Sequence, residues 1–164
     1  MSQILSSDEA AAQCAAWRSA GRRVVFTNGH FDVLHLGHVE YLERARTLGD
    51  RLVVGVNDDA STRALKGSQR PIVPAIERAR LIAALRCVDA VVIFESLTAE
   101  SLVAQLRPDI YVKGDDWAPP EGRTPPEAAA ALACGGQVIF LPYLPGHSTT
   151  DIIQTILERY GRRG

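Results

Sequence analysis

The residues with the clearest chemical potential lie in a short segment that follows the first apolar run of the chain. Residues 27–38 read Thr-Asn-Gly-His-Phe-Asp-Val-Leu-His-Leu-Gly-His, which places His35 and His38 three positions apart. Side chains at this spacing share one face at the start of a helix. Two imidazoles beside the free N–H groups and the positive end of a helix can donate hydrogen bonds to a phosphate chain. The segment therefore predicts a site for a phosphate-bearing ligand.

A glycine separates the two histidines and strengthens this interpretation. Gly37 has no side chain, so a phosphate could approach the backbone closely at that point. A single histidine would more often cap the helix or line the core, but a His-x-Gly-His pattern at a strand-to-helix turn favours a function. The pattern differs from GxGxxG and from the P-loop pattern GxxxxGK(S/T), so neither of those phosphate-binding motifs explains it.

Alternating apolar runs and helical stretches must position this segment. Runs of β-branched residues predict five strands, at 23–27, 51–57, 90–94, 110–113 and 137–141. Helices are predicted at 37–48, 76–85, 99–106, 126–133 and 149–160, after a lead-in helix at 6–20 with a capping box at Ser6 and Glu9 and an end at Gly21. This alternation is typical of an α/β fold with a doubly wound, five-stranded parallel sheet, which is Rossmann-like. We expect a single domain, with the lead-in helix in residues 1–21 and a catalytic core in residues 22–160.

Several polar segments should meet at one edge of the predicted sheet. Ligands of doubly wound sheets bind at the carboxyl ends of the strands, where the strand order reverses. The segments that follow the strands are 28–38, 58–59, 113–117 and 143–150, and we expect them to converge there. The proline-rich segment 114–125 is longer than an ordinary connection, so we predict a binding loop in it.

The bulk composition narrows the classes of function. A chain of 164 residues with 46% hydrophobic and 23% charged residues is typical of one globular domain. Its net charge of −1 provides no general attraction to nucleic acid or to an anionic membrane, and no apolar stretch reaches the length of a membrane helix. The N-terminus does not resemble a secretory signal, and three cysteines without a CxxC pair argue against a zinc site or a disulfide framework. We therefore expect a cytoplasmic protein whose partners are small molecules.

The histidine segment resembles the HxGH signature of the cytidylyltransferase-like branch of the nucleotidyltransferase superfamily. The resemblance extends along nearly the whole chain, through residues 49–59, 65–67, 70–71, 77–78, 88–89, 113–117 and 146–153. The combined spacing is similar to that of bacterial D-glycero-β-D-manno-heptose 1-phosphate adenylyltransferases. This resemblance implies transfer of AMP from ATP to the sugar 1-phosphate, which yields ADP-heptose and pyrophosphate. It also implies Mg²⁺, held chiefly by the oxygens of the substrate rather than by protein ligands.

The same resemblance implies roles for individual residues. His35 and His38 would contact the triphosphate and stabilise the transition state, while Lys66 would reach over the phosphates from a mobile loop that contains Gly67 and Ser68. The nucleotide would also be bound by Thr27, Asn28, Gly29, Phe31, Gly37, Arg78, Ser148 and Thr149. The sugar phosphate would be bound by Asp32, which also supports the turn, and by Lys113, Asp115 and Trp117.

Some of these residues have simpler explanations. Lys66 alone would more often be a solvated charge, and Ser148 and Thr149 form a good N-cap in any protein. Residues 115–117 could be a turn with one buried ring. Their coincidence at one edge of one sheet is what favours the functional interpretation.

The chain also departs from the heptose pattern. His30 stands where that family commonly has Cys, and the Asp-Asp-Trp triplet at 115–117 is as similar to glycerol-phosphate cytidylyltransferases, whereas Lys113 and the block 66–78 favour the heptose enzymes. The alternatives are an enzyme that uses CTP with glycerol 3-phosphate, an enzyme for another small phosphate such as that of pantetheine, and a nucleotide-binding regulator without turnover. Relatives are often fused to a sugar kinase and tend to be homodimers. We expect a stand-alone transferase here, and a homodimer to which the lead-in helix contributes.

Overall fold

The structure, a computed structural model, describes residues 3–118 and 124–161. Within them, the strands are β1 (Gln3–Leu5), β2 (Val24–Gly29), β3 (Arg51–Asn57), β4 (Ala90–Phe94), β5 (Ile110–Gly114) and β6 (Gln137–Leu141). The helices are α1 (Ser7–Ser19), α2 (Leu36–Arg46), α3 (Asp59–Lys66), α4 (Ala75–Ala83), α5 (Glu100–Leu106), α6 (Pro126–Ala133) and α7 (Thr149–Tyr160). A 3₁₀ turn at Asp115–Trp117 follows β5.

All six strands are parallel and lie in the order β1-β4-β3-β2-β5-β6. From β2 the chain moves outward through β3 and β4, and it then crosses back to add β5 on the other side of β2. The doubly wound arrangement is therefore confirmed. The strand order reverses between β2 and β5, so the carboxyl ends of these two strands form the crevice in which such sheets bind ligands.

The prediction of five strands is wrong, because the sheet has a sixth. β1 precedes the lead-in helix and pairs with β4 from Gln3 opposite Ala90 to Leu5 opposite Val92. Three residues are too short to show a two-residue alternation, so the sequence pattern does not reveal this edge strand. The N-terminal segment consequently contributes to the sheet as well as to α1. The capping box of α1 is confirmed, since Ser6 and Glu9 cap each other, and Gly21 has a positive φ of 72° just past the helix end.

A second difference concerns the segment between β3 and β4. Residues 59–66 form the helix α3, and Asp58 caps it by accepting a hydrogen bond from the Ser61 N–H at 2.7 Å. Lys66, expected on a loop, is thus the last residue of a helix, and the chain leaves it through Gly67 at a φ of 96°. The other predicted helices and strands are present with ends that differ by one to two residues at most.

Two apolar layers cover the sheet. One packs α1, α5 and α6 against one face through residues such as Cys14 and Leu106, and the other packs α2 and α4 against the opposite face through residues such as Leu42 and Ile82. The strands β2, β3 and β4 are buried on both faces, which explains their apolar runs in the sequence. In the described parts of the chain, no helix combines the length and the apolar character needed to cross a bilayer.

Candidate active site

The turn between β2 and α2 is held in an unusual backbone conformation. Phe31 and Val33 both have positive φ angles, of 48° and 55°, which cost free energy for residues other than glycine. Asp32 lies between them and is 1% exposed, and the hydrogen bonds of its carboxylate offset the free-energy cost of this backbone conformation. This carboxylate accepts hydrogen bonds from Arg70 Nε at 2.6 Å and from the N–H groups of Ile72 and Val73 at 2.9 Å. Asp32 therefore fixes the shape of the turn.

The turn delivers His35 and His38 to the start of α2 as a stacked pair. Their ring centroids are 3.8 Å apart with an interplanar angle of 24°, and Phe31 meets the ring of His38 edge-on at 5.4 Å. His35 is the N-cap residue, yet its side chain makes no capping hydrogen bond. The Nδ1 atoms of both rings are buried without a hydrogen-bond partner among the described residues. Buried polar atoms are rarely left unpaired in proteins, which marks these rings as candidates for a ligand contact.

The environment keeps both imidazoles neutral. Burial, with a smaller contribution from His35, lowers the pKa of His38 from 6.5 to about 4. Burial also lowers the pKa of His35, and the nearby His147 acts in the same direction. At neutral pH each ring thus carries one N–H donor and one unprotonated nitrogen. The pair can donate hydrogen bonds to an anion without bringing positive charge into the crevice beforehand.

Gly37 also allows close packing at this point. A Cβ atom on Gly37 would lie 3.0 Å from the Cβ of His147 and 3.1 Å from the ring of His35. A side chain at position 37 would therefore crowd His35 and the loop before α7. Gly37 lets these two groups pack against the start of the helix, so it positions His35.

A polar network joins the ends of β2 and β5 across the crevice. Lys113 Nζ donates to the backbone oxygen and to Oδ1 of Asn28, both at 3.2 Å, and lies 5.4 Å from the centroid of the Trp117 ring. Burial lowers the pKa of Lys113. Asp115, in contrast, is exposed to solvent at the 3₁₀ turn. Asn28, Lys113 and Trp117 are thus brought together, and Asp115 borders them from outside.

Sequence reasoning missed two residues of this network. Glu127, 4% exposed on α6, accepts hydrogen bonds from Asn28 Nδ2 at 3.3 Å and from the Ala99 N–H at 2.8 Å. The hydroxyl of Tyr111 donates to Asn28 Oδ1 at 2.8 Å. Nothing in the sequence marks Glu127, because an acidic residue in the first turn of a helix is ordinary. Only the packing of α6 against the sheet turns its carboxylate towards Asn28.

Arg78 lies behind the turn rather than in the crevice. Its side chain is 1% exposed, and its guanidinium donates to the backbone oxygens of Val73, Asn57 and His30. A fourth hydrogen bond runs to Asp59 Oδ1 at 2.8 Å. The expected direct contact between Arg78 and a nucleotide does not fit this geometry. Arg78 instead ties the turn after β2 to the end of β3 and the start of α3.

Three hydroxyl groups of the predicted site are used internally. Thr27 is fully buried and shares a hydrogen bond of 2.8 Å with the Tyr41 hydroxyl. Ser148 caps α7 by accepting from the Asp151 N–H at 3.1 Å, and the Thr149 hydroxyl donates to the backbone oxygen of Asp32 at 2.7 Å. Ser148 therefore has the N-cap role that was the simpler explanation. Thr149 connects α7 to the histidine turn, which confirms the expected convergence of these segments.

The remaining predicted residues lie around the same crevice. Lys66 is exposed at the end of α3. Burial of the ring lowers the pKa of His30 most, and the charge of Lys66 is the next largest cause. Lys66 therefore lies on the side of the crevice that holds the histidines. Gly29 ends β2 next to the Phe31 ring. Within residues 3–118 and 124–161, no group of three or more His, Cys, Asp or Glu side chains could hold a metal ion. The predicted binding loop at 114–125 falls partly on residues 119–123, which lie outside the described residues.

Curated relatives match this chain along most of its length. "Bifunctional protein HldE" of Pelobacter propionicus is 50% identical over 159 residues, which are 97% of this chain and 32% of that protein. The proteins of the same name from Trichlorobacter lovleyi and Geobacter sulfurreducens are 51% and 46% identical, over 89% and 97% of this chain and 29% and 32% of those proteins. The chain thus spans about a third of the length of these relatives.

A solved structure and a family model agree with these matches. The crystal structure of the lipopolysaccharide core biosynthesis protein from Thermoplasma volcanium superposes with a TM-score of 0.62 at 31% identity, over 76% of this chain and 98% of that chain. The cytidylyltransferase-like family model matches residues 26–155, which include the turn, both histidines and the start of α7. The resemblance predicted from the HxGH segment is confirmed. This chain belongs to the cytidylyltransferase-like family.

Proposed function

We propose that this protein is a nucleotidyltransferase that transfers AMP from ATP to D-glycero-β-D-manno-heptose 1-phosphate, with release of pyrophosphate. The observation that carries the proposal is the stacked pair of neutral imidazoles at the point where the strand order reverses, each with an Nδ1 that has no hydrogen-bond partner among the described residues. The family supports nucleotidyl transfer as the reaction class. The resemblance to heptose 1-phosphate adenylyltransferases, together with about 50% identity to the HldE relatives, supports the donor and the acceptor.

The reaction needs positioning and charge stabilisation more than acid–base chemistry. A phosphate oxygen of the acceptor attacks the α-phosphorus of ATP and forms the new P–O bond, while the bond to the bridging oxygen breaks and pyrophosphate leaves with those electrons. The attacking phosphate is already ionised near neutral pH, so no general base is required. His35 and His38 donate hydrogen bonds to the phosphate oxygens on which negative charge develops. Preorganised donors of this kind stabilise developing charge without a cost of reorganisation at the moment of reaction.

Other residues of the site would bind the two substrates or hold the turn. Lys66 would place its ammonium over the triphosphate, and Lys113 with Trp117 would bind the acceptor phosphate and its sugar. Asp32 and Arg78 act through the backbone as positioning residues, because both are buried and hydrogen-bonded to main-chain groups of the turn and its neighbours. Since the described residues include no carboxylate cluster for a metal ion, the oxygens of the triphosphate would hold Mg²⁺, which would neutralise phosphate charge there.

The proposal also extends to the setting in which the reaction takes place. We propose that the chain acts as one nucleotidyltransferase domain with its core in residues 22–160, in the cytoplasm, where its three free cysteines stay reduced. We also propose a homodimer. Its interface would involve α7, on which Ile156, Leu157 and Tyr160 are 51%, 61% and 65% exposed. Large apolar side chains grouped on one helix are typical of interaction surfaces.

A substrate matrix tests the proposed function. Purified protein is incubated with ATP or CTP, each with heptose 1-phosphate, glycerol 3-phosphate, pantetheine 4′-phosphate or no acceptor, and pyrophosphate release is measured. We expect release with ATP and heptose 1-phosphate, well above every other pair. Release with CTP and glycerol 3-phosphate would favour the cytidylyltransferase alternative. ATP binding without pyrophosphate release from any pair would identify a nucleotide-binding regulator and would overturn the proposal.

A further inference from the structure

Glu127 is a buried carboxylate next to the crevice. It lies in the first turn of α6 and is 4% exposed. An acidic residue in a first helical turn interacts favourably with the helix even when it stays in water, so this position alone does not require burial. Among the described residues Glu127 belongs to no ion pair, and a buried carboxylate costs free energy unless hydrogen bonds compensate. Its hydrogen-bond partners therefore indicate what it does.

One oxygen of this carboxylate joins the start of α5 to the end of β2. Oε1 of Glu127 accepts a hydrogen bond of 2.8 Å from the N–H of Ala99, which is fully buried directly before α5. The same Oε1 accepts from Nδ2 of Asn28 at 3.3 Å. The contact with the α5 backbone holds the carboxylate in place, so that Glu127 offers Asn28 a fixed acceptor.

This acceptor determines which way the amide of Asn28 points. Oδ1 of Asn28 accepts hydrogen bonds from the Tyr111 hydroxyl at 2.8 Å and from Lys113 Nζ at 3.2 Å. An amide offers two donors and two acceptor positions, and a carboxylate only accepts. If the amide were turned by 180°, its NH₂ group would face the ammonium of Lys113 and its oxygen would face Glu127. Both hydrogen bonds would then be lost, so Glu127 selects the observed orientation.

The orientation of Asn28 in turn fixes the ammonium of Lys113. Nζ donates to the backbone oxygen and to Oδ1 of Asn28, and an ammonium has three N–H donors, so one donor remains. Lys113 forms no ion pair among the described residues. Burial lowers the pKa of Lys113, and the charge of Glu127 is the largest influence in the opposite direction. The ammonium is therefore held in one place and keeps a donor for an anion.

We propose that Glu127 is a positioning residue for the acceptor substrate: through the amide of Asn28, it holds the ammonium of Lys113 where it binds the acceptor phosphate. The inference rests on the proposed function, because the contact between Lys113 and the acceptor belongs to that proposal. Glu127 touches neither substrate. Its effect passes through two hydrogen bonds that link α6 to β2 and β2 to β5.

Steady-state kinetics of the full chain test the inference with two substitutions of Glu127. Gln keeps an oxygen that can accept from Asn28 and Ala99, whereas Ala leaves both donors unpaired. We expect Glu127→Ala to raise the KM for heptose 1-phosphate by about tenfold, since a hydrogen bond to a charged group is worth about ten- to a hundredfold in binding. The KM for ATP and kcat should be nearly unchanged. Glu127→Gln should restore the KM for heptose 1-phosphate to near the wild-type value.

Two results of this comparison would overturn the inference. One is a wild-type KM for heptose 1-phosphate in Glu127→Ala. The other is a KM in Glu127→Gln as high as in Glu127→Ala, because the carboxylate would then supply something other than the orientation of the Asn28 amide. Glu100→Ala is the matched control: Glu100 lies in the first turn of α5 and is exposed, so its replacement should leave every kinetic constant unchanged.

A double-substitution cycle with Lys113→Met separates positioning from a general structural effect. Residues that act through one another have non-additive effects. Glu127→Ala should therefore raise the KM for heptose 1-phosphate in the wild-type chain and cause no further rise in Lys113→Met. The same factor in both backgrounds would overturn the inference.

Thermal unfolding shows whether Glu127→Ala folds. If it does not, Glu127→Asp takes its place with the same expected results, because Asp keeps the charge but is one methylene too short to reach both Asn28 and Ala99. Turnover by the wild-type chain with additive effects in the cycle removes only this inference. Absence of pyrophosphate release from the wild-type chain with every acceptor contradicts the proposed function itself.

Discussion

The imidazole rings of His35 and His38 differ from ordinary surface histidines because they stack on each other inside a partly closed turn. Their Nδ1 atoms lack partners among the described residues, and burial lowers the pKa of both. A neutral ring costs less to bury than a charged one and still offers an N–H donor. The pair is therefore suited to meet charge that develops during a reaction, as opposed to charge that is already present.

Removal of either ring should abolish most of the catalysis but little of the stability. We expect His35→Ala and His38→Ala to lower kcat/KM by about 10²–10³, which is the usual effect of losing one preorganised donor. Leu36→Ala is the matched control, because Leu36 lies between the two histidines and is 52% exposed. Kinetics and thermal unfolding are measured on all three variants. Near-wild-type kcat/KM in either histidine variant would remove the proposed catalytic centre.

The half-buried rings of His30 and His38 predict how the free energy of unfolding depends on pH. The unfolded chain protonates its histidines near pH 6.5, whereas the native pKa values of His30 and His38 are about 4. Between these values the unfolded state binds more protons, so the free energy of unfolding should fall as the pH is lowered from 6.5 to 4, by at most about 1.4 kcal/mol per pH unit for each ring. The lowered pKa of Asp32 acts only below 3.8 and lies outside this window.

Urea unfolding at pH 7 and pH 5 measures this dependence. In the double variant His30→Asn/His38→Asn, neither ring remains to bind the extra protons in the unfolded state. Its free energy of unfolding should therefore change less between the two pH values than that of the wild type. Identical losses in the two proteins would show that other groups cause the pH dependence.

The helix α4 supports the turn after β2 from behind, through the side chain of Arg78. Arg78 reaches from α4 to the turn after β2 and to the end of β3. Its guanidinium donates hydrogen bonds to three main-chain oxygens. Its hydrogen bonds hold together the elements that adjoin the site. Burying a guanidinium costs free energy unless its N–H donors are hydrogen-bonded. Removing the guanidinium then costs free energy as well, because its buried partners lose their hydrogen bonds.

Replacement of Arg78 should destabilise the protein strongly. We expect Arg78→Met to lower the free energy of unfolding by about 3–5 kcal/mol, because it leaves buried oxygens without donors. Arg80→Met on the same helix is exposed and should change stability by at most about 0.5 kcal/mol. Both are measured by urea unfolding. A small effect for Arg78→Met, equal to that of the control, would contradict the structural role of Arg78.

The complete fold places the crevice on one edge of the sheet and leaves one helix largely uncovered. α7 has no buried residue, although its N-terminus is tied to Asp32 through Thr149. By contrast, α1 packs against β4 and α5 and presents no exposed large apolar residue. α7 is therefore a better candidate than the lead-in helix for the interface of the proposed homodimer, and such an interface would lie next to the histidine turn.

Sedimentation velocity tests this interface. We expect the wild-type chain to sediment as a dimer and Leu157→Glu to sediment as a monomer, because a buried unpaired charge is not tolerated at an apolar interface. Leu132→Glu is the matched control: Leu132 is 60% exposed on α6, and its substitution should leave the dimer intact. A monomeric wild type would exclude the homodimer, and a dimeric Leu157→Glu would exclude α7 as its interface.

Local sequence patterns were sufficient to predict most of the secondary structure, the fold class and the family of this protein. Five of the six described strands contain apolar or β-branched runs that are visible in the sequence, so these strands and the doubly wound class could be predicted. The HxGH segment predicted the family, which the family model confirms, and its position after β2 predicts where the active site lies. These features depend on neighbours in the chain, and their signal is therefore present before folding.

Contacts between distant parts of the chain were decided only in three dimensions. The strand β1 is too short to carry a period, and its pairing with β4 joins residues about 87 positions apart. Whether Arg78 faces a ligand or the backbone, whether Thr149 caps a helix or bonds to Asp32, and whether Glu127 is solvated or buried against Asn28 depend on which elements pack together. The sequence determines which chemical groups the side chains carry. Tertiary packing determines which groups they contact, because burial and hydrogen bonding depend on residues that are distant in the chain.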